Sequence, residues 1–223
     1  MPQLSRKQLL ELYSKLRRHF GFLNWWPAKS NDEMVIGAIL TQNTSWKNVE
    51  KAIARLEAYR LLSLKAIAEA KLSRVERAIR SSGFFRQKAK RLKSFSAYIV
   101  SNYGSIDSFF EKSKEPRREL LGIGGIGKET ADSMLLYAGN MPVFVIDAYT
   151  RRILSRVFGI NAERMGYEEV QRIFDVLPES IDLYKDFHAQ FVELAKNYCR
   201  KKPLCSKCPV RSMCKYESKR VSN

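Results

Sequence analysis

Residues 122–131 read Gly-Ile-Gly-Gly-Ile-Gly-Lys-Glu-Thr-Ala and hold four of the chain's eleven glycines. The run fits a G-x-G-x-x-G template, and an acid, Asp147, stands twenty residues past Gly127, a spacing that imitates a dinucleotide-binding fingerprint. That fingerprint needs a buried strand directly before its first glycine. The preceding residues 111–120, EKSKEPRREL, are charged and contain Pro116, which suits the first turn of a helix and not a central parallel strand. Context therefore favours a helix over 116–121, a glycine hairpin over 124–127, and a second helix from Lys128 with Ala131, Met134, Leu135 and Ala138 facing inward. Glycines let such a turn reach positive φ and let a bulky anion approach the backbone. The N–H groups at the start of the second helix, around Gly125 and Gly127, are unpaired donors at the positive end of a dipole, a phosphate site to which Lys128 adds charge. A hairpin of this kind grips a nucleic acid backbone without reading bases. A purely structural helical hairpin needs one capping glycine, not four.

Composition points to the same partner. Lys and Arg total 40 against 23 Asp and Glu, a net charge of +17 spread along the whole 223-residue chain. A lysine-rich thermophile surface is the bland alternative, but such surfaces balance lysine with glutamate. A polyanion is the expected partner, and nucleic acid comes before a membrane. No segment approaches 18 continuous apolar residues, and no isolated basic amphipathic helix stands out. The first residues, MPQLSRKQLLELYSKL, read as a helix and lack the apolar core of a signal peptide, so a reducing, cytoplasmic location is expected, nucleoid-associated in a prokaryote.

The rest of the chain is helical in pattern. Leu9, Leu10, Leu12, Tyr13 and Leu16 repeat on one face, as do Val49, Ile53 and Leu56, with polar or glycine breaks at 81–83, 102–104 and 139–140. The apolar run Val143-Phe144-Val145-Ile146 reads as a buried extended connection into a helix beginning near Asp147. The class is all-α. Asp147 is a favoured residue for the cap of that helix. The two histidines, His19 and His188, show no paired base or metal site and are read as structural. Cys199, Cys205, Cys208 and Cys214 lie in one C-terminal loop with x5-x2-x5 spacing. Four thiolates at that density suit tetrahedral zinc or a cubane iron–sulfur cluster, and spacing alone leaves the two open.

Residues 123–131 and 143–152, together with ILTQNTSWKNVEKAI and GFFRQKAKRL, resemble the helix-hairpin-helix DNA glycosylases of the endonuclease III superfamily. The hairpin there runs Leu-Pro-Gly-Val-Gly-x-x-Thr-Ala, with Val-Asp-Thr-His some way downstream. This chain has Ile123-Gly124 for Leu-Pro and Ala148-Tyr149 for Thr-His. The resemblance implies two helical domains with DNA in a cleft between them: a six-helix-type domain over 30–140 ending in the hairpin, and a second domain joining 1–29 to 141–223. It implies a [4Fe-4S] cluster on the four cysteines, zinc being the alternative, in a loop over 199–214 whose first gap is one residue shorter than the x6-x2-x5 of the superfamily. The implied partner of the monomer is double-stranded DNA carrying a damaged base.

On the same resemblance, Asp147 is the carboxylate near the sugar of a flipped nucleotide. Bifunctional members carry a Schiff-base lysine just before Thr-Ala, where this chain has Glu129; Lys128 is displaced by about 100° around the helix. The reaction implied is therefore monofunctional hydrolysis, with Glu129 facing the base or its water. Asn24-Trp25-Trp26-Pro27 and Trp46 look like the 3-methyladenine DNA glycosylase III subgroup, where a Trp-Trp-Pro wall (Trp25, Trp26, Pro27) and a second aromatic (Trp46) sandwich the base; isolated tryptophans are otherwise core residues. Alkylated purines are cationic, which suits such a slot. Gln42 matches the residue that fills the hole left by the flipped base, and Phe84 the wedge on the opposite strand, unless it is a core aromatic. Two other readings stand beside this one: a glycosylase of endonuclease III type for an oxidised pyrimidine or mismatched base, and a non-catalytic DNA-binding module.

Overall fold

The computed structural model describes residues 4–216; residues 1–3 and 217–223, the ends of the expected second domain, lie outside the described residues. Among the described residues the chain forms α-helices, short 3₁₀ turns and no strand. The helices are α1 (Arg6–Phe20), α2 (Asn31–Thr41), α3 (Trp46–Ala58), α4 (Leu64–Glu69), α5 (Leu72–Ala78), α6 (Phe85–Tyr103), α7 (Ile106–Lys112), α8 (Pro116–Gly122), α9 (Lys128–Tyr137), α10 (Ala148–Phe158), α11 (Tyr167–Gln171) and α12 (Ile181–Asn197). The chain separates into two compact units, Trp26–Met141 and the pair Met1–Trp25 with Pro142–Asn223. The first break falls at Trp25/Trp26, not near residue 30, so the Trp-Trp-Pro stretch is shared between the units. The contiguous unit holds eight α-helices, α2 to α9, where six were expected.

In the contiguous unit, α2 is the core element. Its residues Met34 to Leu40 are all buried, and it packs against α3, α6 and α9. A helix apolar on every side can only be an interior one. The glycine stretch lies between α8, which opens with Pro116, and α9, whose cap is Gly127. Ile123 and Ile126 are buried and anchor the turn. Of its glycines only Gly125 requires its freedom, at φ +89°, where a side chain would also collide with Arg91. At Gly122, Gly124 and Gly127 an added Cβ would meet nothing within 4 Å. Those three leave the backbone bare for no packing reason.

The two hairpin helices are locked by a charge pair. Arg117 of α8 donates through Nε and Nη2 to the two carboxylate oxygens of Asp132 on α9, at 2.6 and 3.2 Å, and the Asp132 side chain is wholly buried. Removing one partner of such a pair strands a buried charge.

The other unit is built on α1, α10 and α12, with α12 packed against both of the others. A reciprocal Ser5–Gln8 capping box starts α1, whose Leu9, Leu12 and Leu16 are fully buried. The apolar run before Asp147 is extended and buried. Phe144 stacks on Phe174 with centroids 3.6 Å apart and meets Tyr184, Phe187 and Phe191 of α12 edge-on. The backbone of this segment is paired by side chains: Gln171 donates to the Phe144 carbonyl, and the Ile146 amide donates to the Tyr167 hydroxyl. A strand-like segment without a sheet needs such partners. The segment thus delivers Asp147 to the first turn of α10 in a fixed register.

Arg117→Ala is expected to cost about 3 kcal/mol of unfolding free energy, read by urea denaturation, because Asp132 keeps its burial and loses its bidentate partner.

Candidate active site

Asp147 caps α10: its Oδ1 accepts the Thr150 amide at 2.7 Å. Its Oδ2 lies 3.6 Å from Nε2 of His188 on α12, and the two side chains are only 13% and 6% exposed. Burial pushes the Asp147 carboxyl up, but the neighbouring His188 and the Thr150 amide outweigh it and hold the group below the usual carboxylate range. The sequence shows no acid paired with His188; the fold brings Asp147 to it. The other histidine fits the structural reading: His19 Nε2 meets the Tyr198 hydroxyl at 3.0 Å among aromatic rings. Beside His188 on α12, the buried Asp186 accepts from Tyr13, Arg17 and the Leu23 amide, and Gln190 donates to the Gly21 carbonyl. These bonds tie the chain leading to Trp25 onto α12. The Trp25 ring lies under Lys196, whose Nζ is 5.2 Å from its centroid.

In the contiguous unit, Glu129 and Lys128 are exposed in the first turn of α9. Gln42, the C-cap residue of α2, is bonded into the hairpin. Its Nε2 donates to the Gly125 carbonyl and the Thr130 hydroxyl, both at 3.1 Å, while its Oε1 accepts from Arg91 at 2.5 Å. The C-terminus of α2 abuts the glycine turn, and amide and carbonyl pair locally. Phe84 is no core residue. It is 68% exposed and holds a left-handed conformation, φ 45° and ψ 31°, at the head of α6. A bulky side chain in that region is strained.

Lys88, missed in the sequence, clamps both turns. It is 1% exposed, and its Nζ donates to the carbonyls of Leu40 at 2.7 Å and Ser82 at 2.6 Å, each two residues before Gln42 or Phe84. Burial, with Arg91 nearby, pushes its pKa down to about 8.

Trp26 and Trp46 do not face each other across a slot. Their rings touch edge to face at 5.3 Å, and Tyr137, which sequence reasoning missed, adds a third ring 5.5 Å from Trp26. A base stacked between parallel rings needs more room than an edge contact leaves, so it would meet an outer face of this cluster. Gly37 lies against the Trp26 ring, where a Cβ would stand 3.4 Å from the indole nitrogen. Pro27 is exposed beside it.

The four cysteines line one apolar cavity with Leu194, Tyr198, Pro203 and Val210, without any carboxylate or imidazole in its wall. Burial pushes the Cys208 thiol up to about 11, and the fields of the other three cysteines add to this. From α10, Arg152 donates to the Cys199 carbonyl, and Arg156 reaches Cys199 Sγ at 3.4 Å and the Arg200 carbonyl at 2.6 Å. Among the described residues no three His, Cys, Asp or Glu side chains form a closed metal geometry. The donor type, number and shared cavity nevertheless fit a thiolate-bound metal centre, and the arginines would offset its negative charge.

A helix, a glycine turn, a second helix and a downstream aspartate capping α10 are thus carried by one chain. Residues 36–179 match the HhH-GPD superfamily of base excision DNA repair proteins, and the chain belongs to that family. A Methanocaldococcus jannaschii protein provisionally named a DNA repair glycosylase is 46% identical over 218 residues, covering 96% of this chain and 99% of its own. The H. pylori 3-methyladenine DNA glycosylase bound to 1,N6-ethenoadenine superposes with a TM-score of 0.73 at 32% identity, over 85% of this chain and 96% of that one. An endonuclease III–DNA complex gives a TM-score of 0.82 at 21% identity over 99% of this chain and 100% of that one, which speaks for the fold.

The unfolded chain binds the Lys88 proton up to its ordinary pKa near 10.4, the folded chain only to about 8, so the contribution of Lys88 to stability rises with pH across that window. The stability difference between wild type and Lys88→Met, from urea denaturation, should widen by on the order of 1 kcal/mol between the lower and upper ends of that window.

Proposed function

We propose that this DNA glycosylase is a monofunctional hydrolase that releases an alkylated purine such as 3-methyladenine from damaged double-stranded DNA, acting as a monomer. The observation that carries the reading is the Trp26–Trp46–Tyr137 cluster in the same unit as an exposed Glu129. Electron-rich rings bind a cationic base by stacking and cation–π attraction, and such a base is already a good leaving group. The likeness to the H. pylori enzyme, whose bound ligand is ethenoadenine, supports the same substrate class.

In this reading the bare backbone at Gly125 and Gly127, with Lys128, takes a phosphate of the duplex. Phe84 wedges the stack, and Gln42 meets the gap from its seat on the hairpin. Trp25 and Pro27 complete the aromatic wall. Asp147, ionised, stabilises the positive charge growing on the sugar. The water oxygen bonds to C1′ as the C1′–N bond breaks, its electron pair leaving with the base. The water proton passes to Asp147 and on to solvent. Glu129 orients the base or the water. With a carboxylate where bifunctional enzymes carry an amine, no Schiff base forms and an abasic site is the product.

Cys199, Cys205, Cys208 and Cys214 would hold a [4Fe-4S] cluster, zinc being the alternative. Such a group supplies folding energy to the loop, not bond-breaking chemistry.

Base release should be seen with oligonucleotides bearing 3-methyladenine or ethenoadenine, and not with uracil, thymine glycol or adenine opposite 8-oxoguanine. Asp147→Asn should abolish release while retaining DNA binding, and Glu129→Gln should slow it by at least about tenfold. Covalent trapping by borohydride, or release of an oxidised pyrimidine alone, would replace this reading with the endonuclease III type. Binding without release in both wild type and Asp147→Asn would leave a DNA-binding module.

Purified protein should be brown with broad visible absorption. Cys208→Ser should lose the colour and lower the melting temperature, whereas a colourless wild type from which a chelator extracts zinc would identify the alternative metal.

A further inference from the structure

We infer that His188 is a positioning residue for Asp147, donating from Nε2 toward Oδ2 so that the carboxylate stays ionised and turned toward the reacting sugar. The inference rests on the reading of Asp147 as the catalytic carboxylate. Its geometry lies wholly within one unit. The Thr150 amide fixes Oδ1 at 2.7 Å, and His188 stands 3.6 Å from Oδ2. A carboxylate held at both oxygens has one orientation; held at one, it can rotate and take a proton. The present separation is long for a direct bond, and catalytic hydrogen bonds commonly shorten once substrate closes the site.

The surroundings explain why an imidazole stands here. Asp147 is largely withdrawn from water, and burial alone would favour its protonated, uncharged form. That form could neither stabilise an oxocarbenium-like sugar nor accept a proton from water. The helix N-terminus and the Thr150 amide oppose burial from α10, and His188 opposes it from α12. The ionisable groups next to His188 on α12 are already committed or remote. Asp186 is engaged by Tyr13 and Arg17 of α1 and by the Leu23 amide. Tyr184 packs on Phe144, and the Tyr167 hydroxyl of α11 accepts the Ile146 amide. The group that bears on Asp147 from another helix is therefore His188.

His188→Leu removes this support, leaving burial opposed only by α10, so the Asp147 pKa rises. Single-turnover release of 3-methyladenine should fall about tenfold or more at neutral pH. A new acid limb should also enter the rate profile, at higher pH than any acid limb of the wild type, and the DNA half-saturation should stay within about twofold of wild type. His188→Gln keeps an N–H donor without a titrating ring and should recover most of the rate and abolish the new limb. It also serves if the leucine variant folds poorly. If both variants overlay the wild-type profile while Asp147→Asn is inactive, His188 has no such role. If the glutamine variant shows the same limb as the leucine variant, support by the hydrogen bond is likewise disproved. Full activity of Asp147→Asn would instead overturn the reading of Asp147 beneath the inference.

Discussion

Burying a charge costs several kcal/mol unless it is paired and hydrogen-bonded, and this chain depends on meeting that condition repeatedly. Asp132 is answered by Arg117, Asp186 by Tyr13 and Arg17, Lys88 by two carbonyls, and Asp147 by Thr150 and His188. Apart from the Thr150 amide, which lies on the helix that Asp147 caps, these answers come from other elements, so these charges specify how two helices or a helix and a turn must meet. Apolar contacts supply the bulk of the core but tolerate sliding; these pairs do not.

The helix α10 shows the arrangement at its most economical. Its first turn holds Asp147, and one and two turns on, Arg152 and Arg156 hold the backbone and a sulfur of the cysteine loop. Its other face packs on α12, which carries His188. The proposed carboxylate and the thiol-rich loop are thus two ends of one rigid rod.

The contiguous unit divides its labour differently. The hairpin offers bare backbone beside three glycines that packing does not require, and a chain of charge +17 favours any phosphate that approaches. Neither feature distinguishes one base from another. In the proposed function, discrimination falls to the aromatic rings of Trp26, Trp46 and Tyr137 and to exposed side chains such as Phe84 and Glu129.

Features that arise within a few residues were legible in the sequence alone. Pro116 at a helix start, the glycine turn, Asp147 capping α10 through Thr150, and four clustered thiols all follow from short-range stereochemistry. So did the family, because its hairpin is such a local motif. The pairing of His188 with Asp147, 41 positions along the chain, left no mark on either neighbourhood. Nor did the clamp of Lys88, the capture of Gln42 by the glycine turn, or the edge contact that closes the space between Trp26 and Trp46. Backbone propensity and capping decide the first set, since their partners are neighbours in sequence. Packing decides the second: a side chain's distant partner depends on helix register and crossing, which only the folded chain establishes.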